Sequence, residues 1–358
     1  MRAVPSAPSS GGPPVLAIES SCDETAAAVL TGTHELRSNV VHSQIPLHAR
    51  FGGVVPELAS RAHVMAIDDV VGRALTEAGV TVQDLCGIAV TQGPGLSGSL
   101  LVGLEYAKGL GMAANLPVVG VHHLHGHAVA ARLGQVAGTV ELSWPCVVLL
   151  VSGGHTSLVL ARSADDYEEL GRTLDDAAGE AYDKVSKQLG LGYPGGAVLD
   201  ELAATGDPRR WQFPRSMLQH AGLTFSFSGL KTAVAYHLRD HGVPEGQDLR
   251  DLASSFQQAV VDVLWGKLAR AAQQTGVEHV VISGGVACNR GLRSRALSES
   301  VAAGLRLTIP PPWLCTDNAA MIGAAGYERV WRSWGAGGEF DSHGLDALTQ
   351  WRLGGFGA

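Results

Sequence analysis

Long hydrophobic runs are missing from this chain, and so are paired cysteines and an excess of basic charge. No apolar run approaches the ~18–20 residues that a membrane-spanning helix needs, so no such helix is expected. The five cysteines, Cys22, Cys86, Cys146, Cys288 and Cys315, form no C-x-x-C pair. That excludes a disulfide scaffold and a cysteine-type zinc module, and it suits a reducing cytoplasm. Charged residues reach only 17% and the formal net charge is −8, which does not advertise a nucleic-acid binder. Any RNA contact needs a local basic patch or a partner. Arg209, Arg210 and Arg215 around Trp211 offer one, and Arg290, Arg293 and Arg295 on an expected helix another, though each also reads as a solvated surface. The loop Gly93-Pro94-Gly95-Leu96-Ser97-Gly98-Ser99 opens a helix without the Gly-Lys-Ser/Thr of a P-loop, so it is a weak phosphate motif.

What is present is a well-packed α/β pattern. At 358 residues with 46% hydrophobics, the chain suits two lobes of ordinary domain size. Its 46 glycines cluster between apolar runs, where turns let backbone approach a ligand. Val15 to Glu19 reads as a strand, followed by the polar turn Ser20-Ser21-Cys22-Asp23-Glu24-Thr25 and a second apolar run over 26–30. Residues 146–151, the turn Ser152-Gly153-Gly154-His155-Thr156-Ser157 and residues 158–161 repeat that plan. Two such units suggest duplicated lobes, each presenting backbone N–H groups and hydroxyls toward a shared cleft. The expected organisation is a disordered tail over 1–14, a first lobe over 15–145 plus 315–334, a second lobe over 146–314 and a tail over 335–358. Pro56 starts a helix whose stripe of Val64, Ile67, Val71 and Leu75, ended by Gly79, is a core or partner face.

The densest chemistry lies in His122-His123-Leu124-His125-Gly126-His127, after a short buried strand. If this segment is helical, His123 and His127 stand at i and i+4 on one face and can share a metal. Leu124 follows His123, so the Glu of the H-E-x-x-H metalloprotease motif is absent. Near the end, Thr316 or Asp317 would cap a helix running toward Arg332. Asp317 is also the natural third ligand, because two imidazoles and one carboxylate leave positions open, as in non-haem iron(II) and catalytic zinc sites.

Three further segments are rich in polar groups. Asp175 to Lys184 starts a helix with four acids, some of which are ordinary dipole complements. In the turn Tyr193-Pro194-Gly195-Gly196, Gly196 together with Asp183 could flank a ribose. Ser226 to Lys231 puts Lys231 among small residues, suited to a phosphate, a buried carboxylate or plain solvent. Residues 280–283 form a strand feeding Gly284-Gly285-Val286-Ala287-Cys288-Asn289, where purine and ribose can lie on bare backbone while Asn289 donates or accepts a hydrogen bond.

In this order, the segments resemble one family, the TsaD-type tRNA N6-adenosine threonylcarbamoyltransferases. The resemblance runs from Val15 to about Trp334 and includes Gly52-Gly53-Val54-Val55-Pro56-Glu57-Leu58-Ala59-Ser60-Arg61 and Cys315-Thr316-Asp317-Asn318. It implies the α/β, two-lobed actin-like and sugar-kinase-like (ribonuclease H-like) duplicated fold. It implies transfer of the threonylcarbamoyl group from threonylcarbamoyl-AMP to N6 of the adenosine 3′ of the anticodon, in tRNAs reading codons that begin with A. It further implies that His123, His127 and Asp317 hold one divalent metal, Fe2+ or else Zn2+. Leu150, Val151, Ser152, Gly153, Gly154, Asp183, Gly196 and Asn289 match positions that hold the adenylate (or ATP). Asp23 and Glu24 match catalytic acids, and Lys231 falls in a matching active-site segment. The family commonly has Glu where this chain has His125, which adds an imidazole nearby and loosens the metal assignment.

That chemistry suits these residue types. Backbone N–H groups of Ser152 to Gly154 can stabilise a leaving phosphate, and Asp23 or Glu24 can accept the N6 proton. The implied partners are tRNA, an inactive actin-like paralogue (TsaB-type) docking on the helix over 57–78, a small ATPase (TsaE-type) and a TsaC/Sua5-type enzyme supplying the adenylate. A cytoplasmic location is expected. Two other readings are a small-molecule O-carbamoyltransferase, which would need an adenylate-forming domain of its own, and an actin-like ATPase acting as a binding module.

Overall fold

The computed structural model describes residue 8 and residues 10–134, 136–336 and 344–354. Of the expected tails, residues 1–7, 9, 337–343 and 355–358 lie outside the described residues. The chain divides into two compact units: Met1–Leu47, Val54–Gly134 and Asp317–Ala358 in the first, His48–Gly53 and Gln135–Thr316 in the second.

The first unit is built on β1 (Val15–Glu19), β2 (Glu24–Leu30), β3 (Leu36–Ser43), β4 (Gly87–Gly93) and β5 (Val118–His122), in sheet order β3-β2-β1-β4-β5. A short α1 (Ile45–Ala49) follows β3; α2 (Pro56–Ala78), α3 (Ser97–Ala114) and α4 (His123–Val129) complete its run before the chain leaves the unit. The second unit holds β6 (Cys146–Val151), β7 (Thr156–Ala161), β8 (Tyr167–Arg172), α5 (Ala178–Gln188), α6 (Gly195–Ala203), α7 (Ser228–His241), α8 (Gly246–Thr275), β9 (His279–Ser283), α9 (Arg290–Ser300), β10 (Arg306–Thr308) and α10 (Pro312–Cys315). The chain then returns to the first unit as α11 (Ala319–Ala336). The second sheet runs β10-β9-β6-β7-β8. Both sheets pair a central strand antiparallel with the next strand and parallel with the fourth, so one topology occurs twice. Among the described residues, no helix is long and apolar enough to cross a membrane.

Helices cover both faces of the first sheet, which is why β1 is apolar without alternation. Leu16 and Ile18 join Ile67, Val71 and Leu104 of α2 and α3 in one core. Successive strand residues point to opposite faces, so Ala17 and Glu19 look the other way, toward α11. There the packing is close enough that a Cβ on Gly323 would lie 3.2 Å from that of Ala17.

Three local expectations change. Val64 is 61% exposed, while Ile67, Val70, Val71 and Ala74 form the buried stripe of α2; Val64 and the 84%-exposed Met65 sit outside it. The helix after Asp317 begins at Ala319 and is capped by Asn318, whose Oδ1 accepts from Met321 N at 3.0 Å, so neither Thr316 nor Asp317 is its cap. Asp175 and Asp176 precede α5 rather than starting it. The fringe after α11 also has fixed contacts: Leu348 N donates to Gln92 O at 2.8 Å, and Leu353 is buried.

Candidate active site and metal centre

The apolar strand β5 turns directly into α4 at His122, whose Nδ1 accepts from Leu124 N at 3.1 Å and caps the helix. His123 and His127 are therefore one helical turn apart on one face, as their spacing predicts. Opposite them stands Asp317, just ahead of the capped start of α11. Its Oδ1 is 3.1 Å from His127 Nε2 and 3.5 Å from His123 Nε2. One ligand atom from each of the three residues fits within a mutual distance of 4.8 Å, so the set can hold a metal ion. Both imidazoles are buried. Burial opposes protonation of His123, but Asp317 and Glu19 outweigh it and push its pKa up to about 9.

Glu19, the last residue of β1, stands behind this set. Its Oε2 is 3.0 Å from His123 Nδ1 and accepts from Thr91 Oγ1. The acidic turn is braced by other residues that carried no signal of their own. His63 Nε2 donates to Cys22 O at 3.0 Å while its Nδ1 accepts from Thr25 Oγ1 at 2.7 Å. Ser99 Oγ also donates to Cys22 O. In the Gly-Pro-Gly loop, a Cβ on Gly95 would fall 2.6 Å from Ser21 O, so that glycine serves backbone packing rather than a phosphate. Asp23 is buried and Glu24 half-buried, with Ser43 Oγ donating to Glu24 at 3.1 Å. Burial first, then Asp23 and Asp317, push the Glu24 carboxyl up to about 10. Acids crowded to that degree favour a cation among them.

His125, by contrast, lies on another face of α4 and stacks on His122 at 4.6 Å. Burial and then Arg329 push its pKa down to about 4, so it is neutral, and it lies outside the ligand set. The extra imidazole expected near the metal is therefore not among its donors.

The second unit gathers the other group of sequence-derived residues. Leu150 and Val151 end β6, and the following turn closes through Ser152 N to His155 O at 2.8 Å. The Ser152 N–H is thus engaged within the turn instead of facing a phosphate. Gly153 and Gly154 are exposed, and a Cβ on either would meet nothing within 4 Å. Gly179 and Gly284 abut the same strand end: their Cβ atoms would lie 2.6 Å from Ser152 O and 2.4 Å from Val151 O. Asp183 Oδ1 accepts from Gly195 N at 2.7 Å, which sets the turn into Gly196, another glycine with open space. Asn289 caps α9 through Leu292 N, and its amide donates to Gln257 and Asp200. Its side chain thus holds the loop as well as lying beside it. Lys231 pairs with Asp176 at 2.8 Å, as does Lys184 at 2.7 Å. Asp175 accepts from Ser226, Phe227 and Ser228, tying down the segment that leads to Lys231. The metal set and the acids Asp23 and Glu24 belong to the first unit; Lys231 and the glycine-lined set belong to the second.

A family model described as TsaD, tRNA N6-adenosine threonylcarbamoyltransferase, matches residues 35–324. The chain belongs to this family. Relatives of the same name from Syntrophotalea carbinolica and Anaeromyxobacter dehalogenans are 52% and 51% identical over 340 residues, covering 95% of this chain and 96% and 99% of theirs. Among solved structures, component A of the (R)-2-hydroxyglutaryl-CoA dehydratase of Acidaminococcus fermentans has a TM-score of 0.52 at 18% identity, covering 90% of this chain and 98% of that one. Full-length HypF in a phosphate- and nucleotide-bound form has a TM-score of 0.60 at 13% identity, covering 92% of this chain and 56% of that one. At such identities these likenesses speak for the fold alone. They agree with the duplicated actin-like architecture that the two sheets display. As a TsaD-family chain it is a transferase acting in tRNA modification, with a His/His/Asp set able to hold a metal.

Proposed function

We propose that this chain transfers the threonylcarbamoyl group from threonylcarbamoyl-AMP to N6 of the adenosine 3′ of the anticodon, in tRNAs reading codons that begin with A. The observation that carries the reading is the His123–His127–Asp317 set, its spacing and buried setting, in a chain of this family. A 2-His-1-carboxylate donor set with open positions suits Fe2+ first and Zn2+ second. When bound, the ion supplies Lewis-acid polarisation of the acyl carbonyl.

The remaining work falls to the chain's own residues. Leu150, Val151, Ser152, Gly153, Gly154, Asp183, Gly196 and Asn289 hold the adenylate, with the N–H groups of Gly153 and Gly154 toward the leaving phosphate. Lys231, oriented by Asp176, adds a cation for the anionic donor. Asp23 and Glu24 are the two acids placed to accept the N6 proton, with Glu24 held toward its neutral form in the metal-free chain. Reconstitution with an adenylate-forming TsaC/Sua5-type enzyme, threonine, bicarbonate, ATP, tRNA and partner proteins tests the reading. Threonylcarbamoyl-adenosine in the nucleoside digest supports it, and its absence sinks it.

The Glu24 assignment has a measurable consequence in chelator-treated protein. A carboxyl whose folded pKa is raised contributes fully to stability below its ordinary value of 4.5 and loses that contribution as pH rises toward 10. Glu24→Gln is always neutral, so its melting temperature relative to the parent should climb between pH 5 and pH 9. A pH-independent difference would refute a neutral Glu24.

The acidic chain needs help to hold tRNA, which supports an assembly with an inactive actin-like paralogue and a small ATPase in the cytoplasm. The exposed pair Val64 and Met65 on α2 is the docking face for the paralogue. Val64→Glu with Met65→Glu should leave the melting temperature unchanged and abolish co-elution in gel filtration. Ile67 is only 5% exposed and belongs to the core, so it is the wrong site for that test.

A further inference from the structure

We propose that Glu19 is a positioning residue that fixes His123 in the Nδ1–H tautomer, so that the Nε2 lone pair of this ring faces the metal. The inference rests on the reading of His123, His127 and Asp317 as ligands. Glu19 is 1% exposed, and both of its carboxylate oxygens are engaged. Oε1 accepts the backbone N–H of Ser21 at 2.5 Å; Oε2 accepts Thr91 Oγ1 at 2.5 Å and faces His123 Nδ1 at 3.0 Å. An ionised carboxylate only accepts, so the ring nitrogen opposite carries hydrogen, and the Ser21 hydroxyl, whose Oγ lies 3.2 Å from that nitrogen, is then a second acceptor. When an ion takes the Nε2 side the ring is neutral, and hydrogen on Nδ1 then leaves the lone pair on Nε2, the atom that lies 3.5 Å from Asp317 Oδ1. Outer partners of this kind orient metal-binding histidines and raise their basicity. His127 has no equivalent: among the described residues its buried Nδ1 makes no hydrogen bond. Only one of the two imidazoles is therefore held in advance.

The duplication separates this role from a structural one. Val15 pairs with Leu30 and Glu19 with Ala26 in the first sheet; Cys146 pairs with Ala161 and Leu150 with Ser157 in the second. Leu150 thus occupies in the second unit the place that Glu19 occupies in the first, and it is buried as well. The strand end needs no carboxylate to fold. Burying one is costly unless it is fully hydrogen-bonded, and here it is fully bonded, with the histidine as one partner.

The test is titration of the chelator-treated, full-length chain with Co2+ and Zn2+, reading the visible Co2+ spectrum and the Kd from indicator competition. Glu19→Gln keeps the shape but replaces one acceptor by an N–H donor, which must oppose either Ser21 N–H or the His123 and Thr91 donors. It should bind about 10–100-fold more weakly and change the Co2+ spectrum. Thr91→Val removes one support of Oε2 and should move both readouts the same way, less far. Parental Kd and spectrum in a folded Glu19→Gln would overturn the proposal. Should that variant not fold, parental values in Thr91→Val would do so. His123→Ala separates the two levels: if it binds Co2+ like the parent, the ligand reading itself is wrong, and the role of Glu19 falls with it.

Discussion

His127→Ala and Asp317→Asn should each leave a folded chain that no longer retains its divalent ion and no longer transfers the acyl group. Asp317 precedes a helix capped by Asn318, so its carboxylate is not needed to start α11. Asp317→Asn preserves volume as well, and its melting curve should stay close to the parent's. His127 is 1% exposed, and its replacement opens a cavity, so some stability is lost there in addition. Polarising a carbonyl at a metal supplies several kcal/mol of transition-state stabilisation, and the loss of about 4 kcal/mol slows transfer by about 10³-fold. Metal content of anaerobically purified protein and the single-turnover rate on tRNA are the two measurements. Parental metal content in both variants would remove the metal centre from the account.

The second large effect concerns glycines of two kinds in the second unit. Gly153, Gly154 and Gly196 have open space where a Cβ would stand and no positive φ, so the fold tolerates a side chain there. Gly179, Gly195 and Gly284 have none, since a Cβ would come within 2.6, 2.4 and 2.4 Å of neighbouring atoms. Gly284 is additionally held at φ +96°, a conformation other residues adopt only with strain. Gly154→Leu or Gly196→Leu should therefore melt like the parent yet bind adenylate at least ~10-fold more weakly, a cost of about 1.4 kcal/mol or more. Gly284→Ala should do the reverse in emphasis and lower the melting temperature first. Calorimetric titration with a non-hydrolysable adenylate and thermal unfolding distinguish the two classes. Unchanged affinity in both leucine variants would place the nucleotide elsewhere.

How far the sequence revealed this arrangement depended on whether a residue's role was local. The two strand–turn–strand units were legible because each is a continuous stretch, and their duplication reappears in the paired sheet orders. His123 and His127 were legible because four residues in one helix settle their face. The role of Glu19 was not, because nothing at the end of an apolar strand says which partner crosses from β4 or α4. His63 was hidden in the same way: on α2 it looks like a polar residue at the margin of a stripe, and only the fold brings it under Cys22 and Thr25. Asn318, not Asp317 or Thr316, caps α11, a choice between neighbouring candidates that propensity alone does not make. The exposure of Val64 likewise turns on a small rotation of the α2 stripe, since Val70 and Ala74 share the inner face with Ile67 and Val71.

The central claim concerns one nucleotide, and fragment mass spectrometry of tRNA reads it directly. Two unmodified tRNAs, one reading codons that begin with A and one reading codons that begin with G, are incubated with the metal-loaded chain, its partner proteins and threonylcarbamoyl-AMP. Each is then cleaved by a base-specific ribonuclease. The account predicts a threonylcarbamoyl mass gain confined to the fragment carrying the adenosine 3′ of the anticodon, in the first tRNA only. A gain at any other nucleotide, or none in that fragment while the adenylate is consumed, would contradict it.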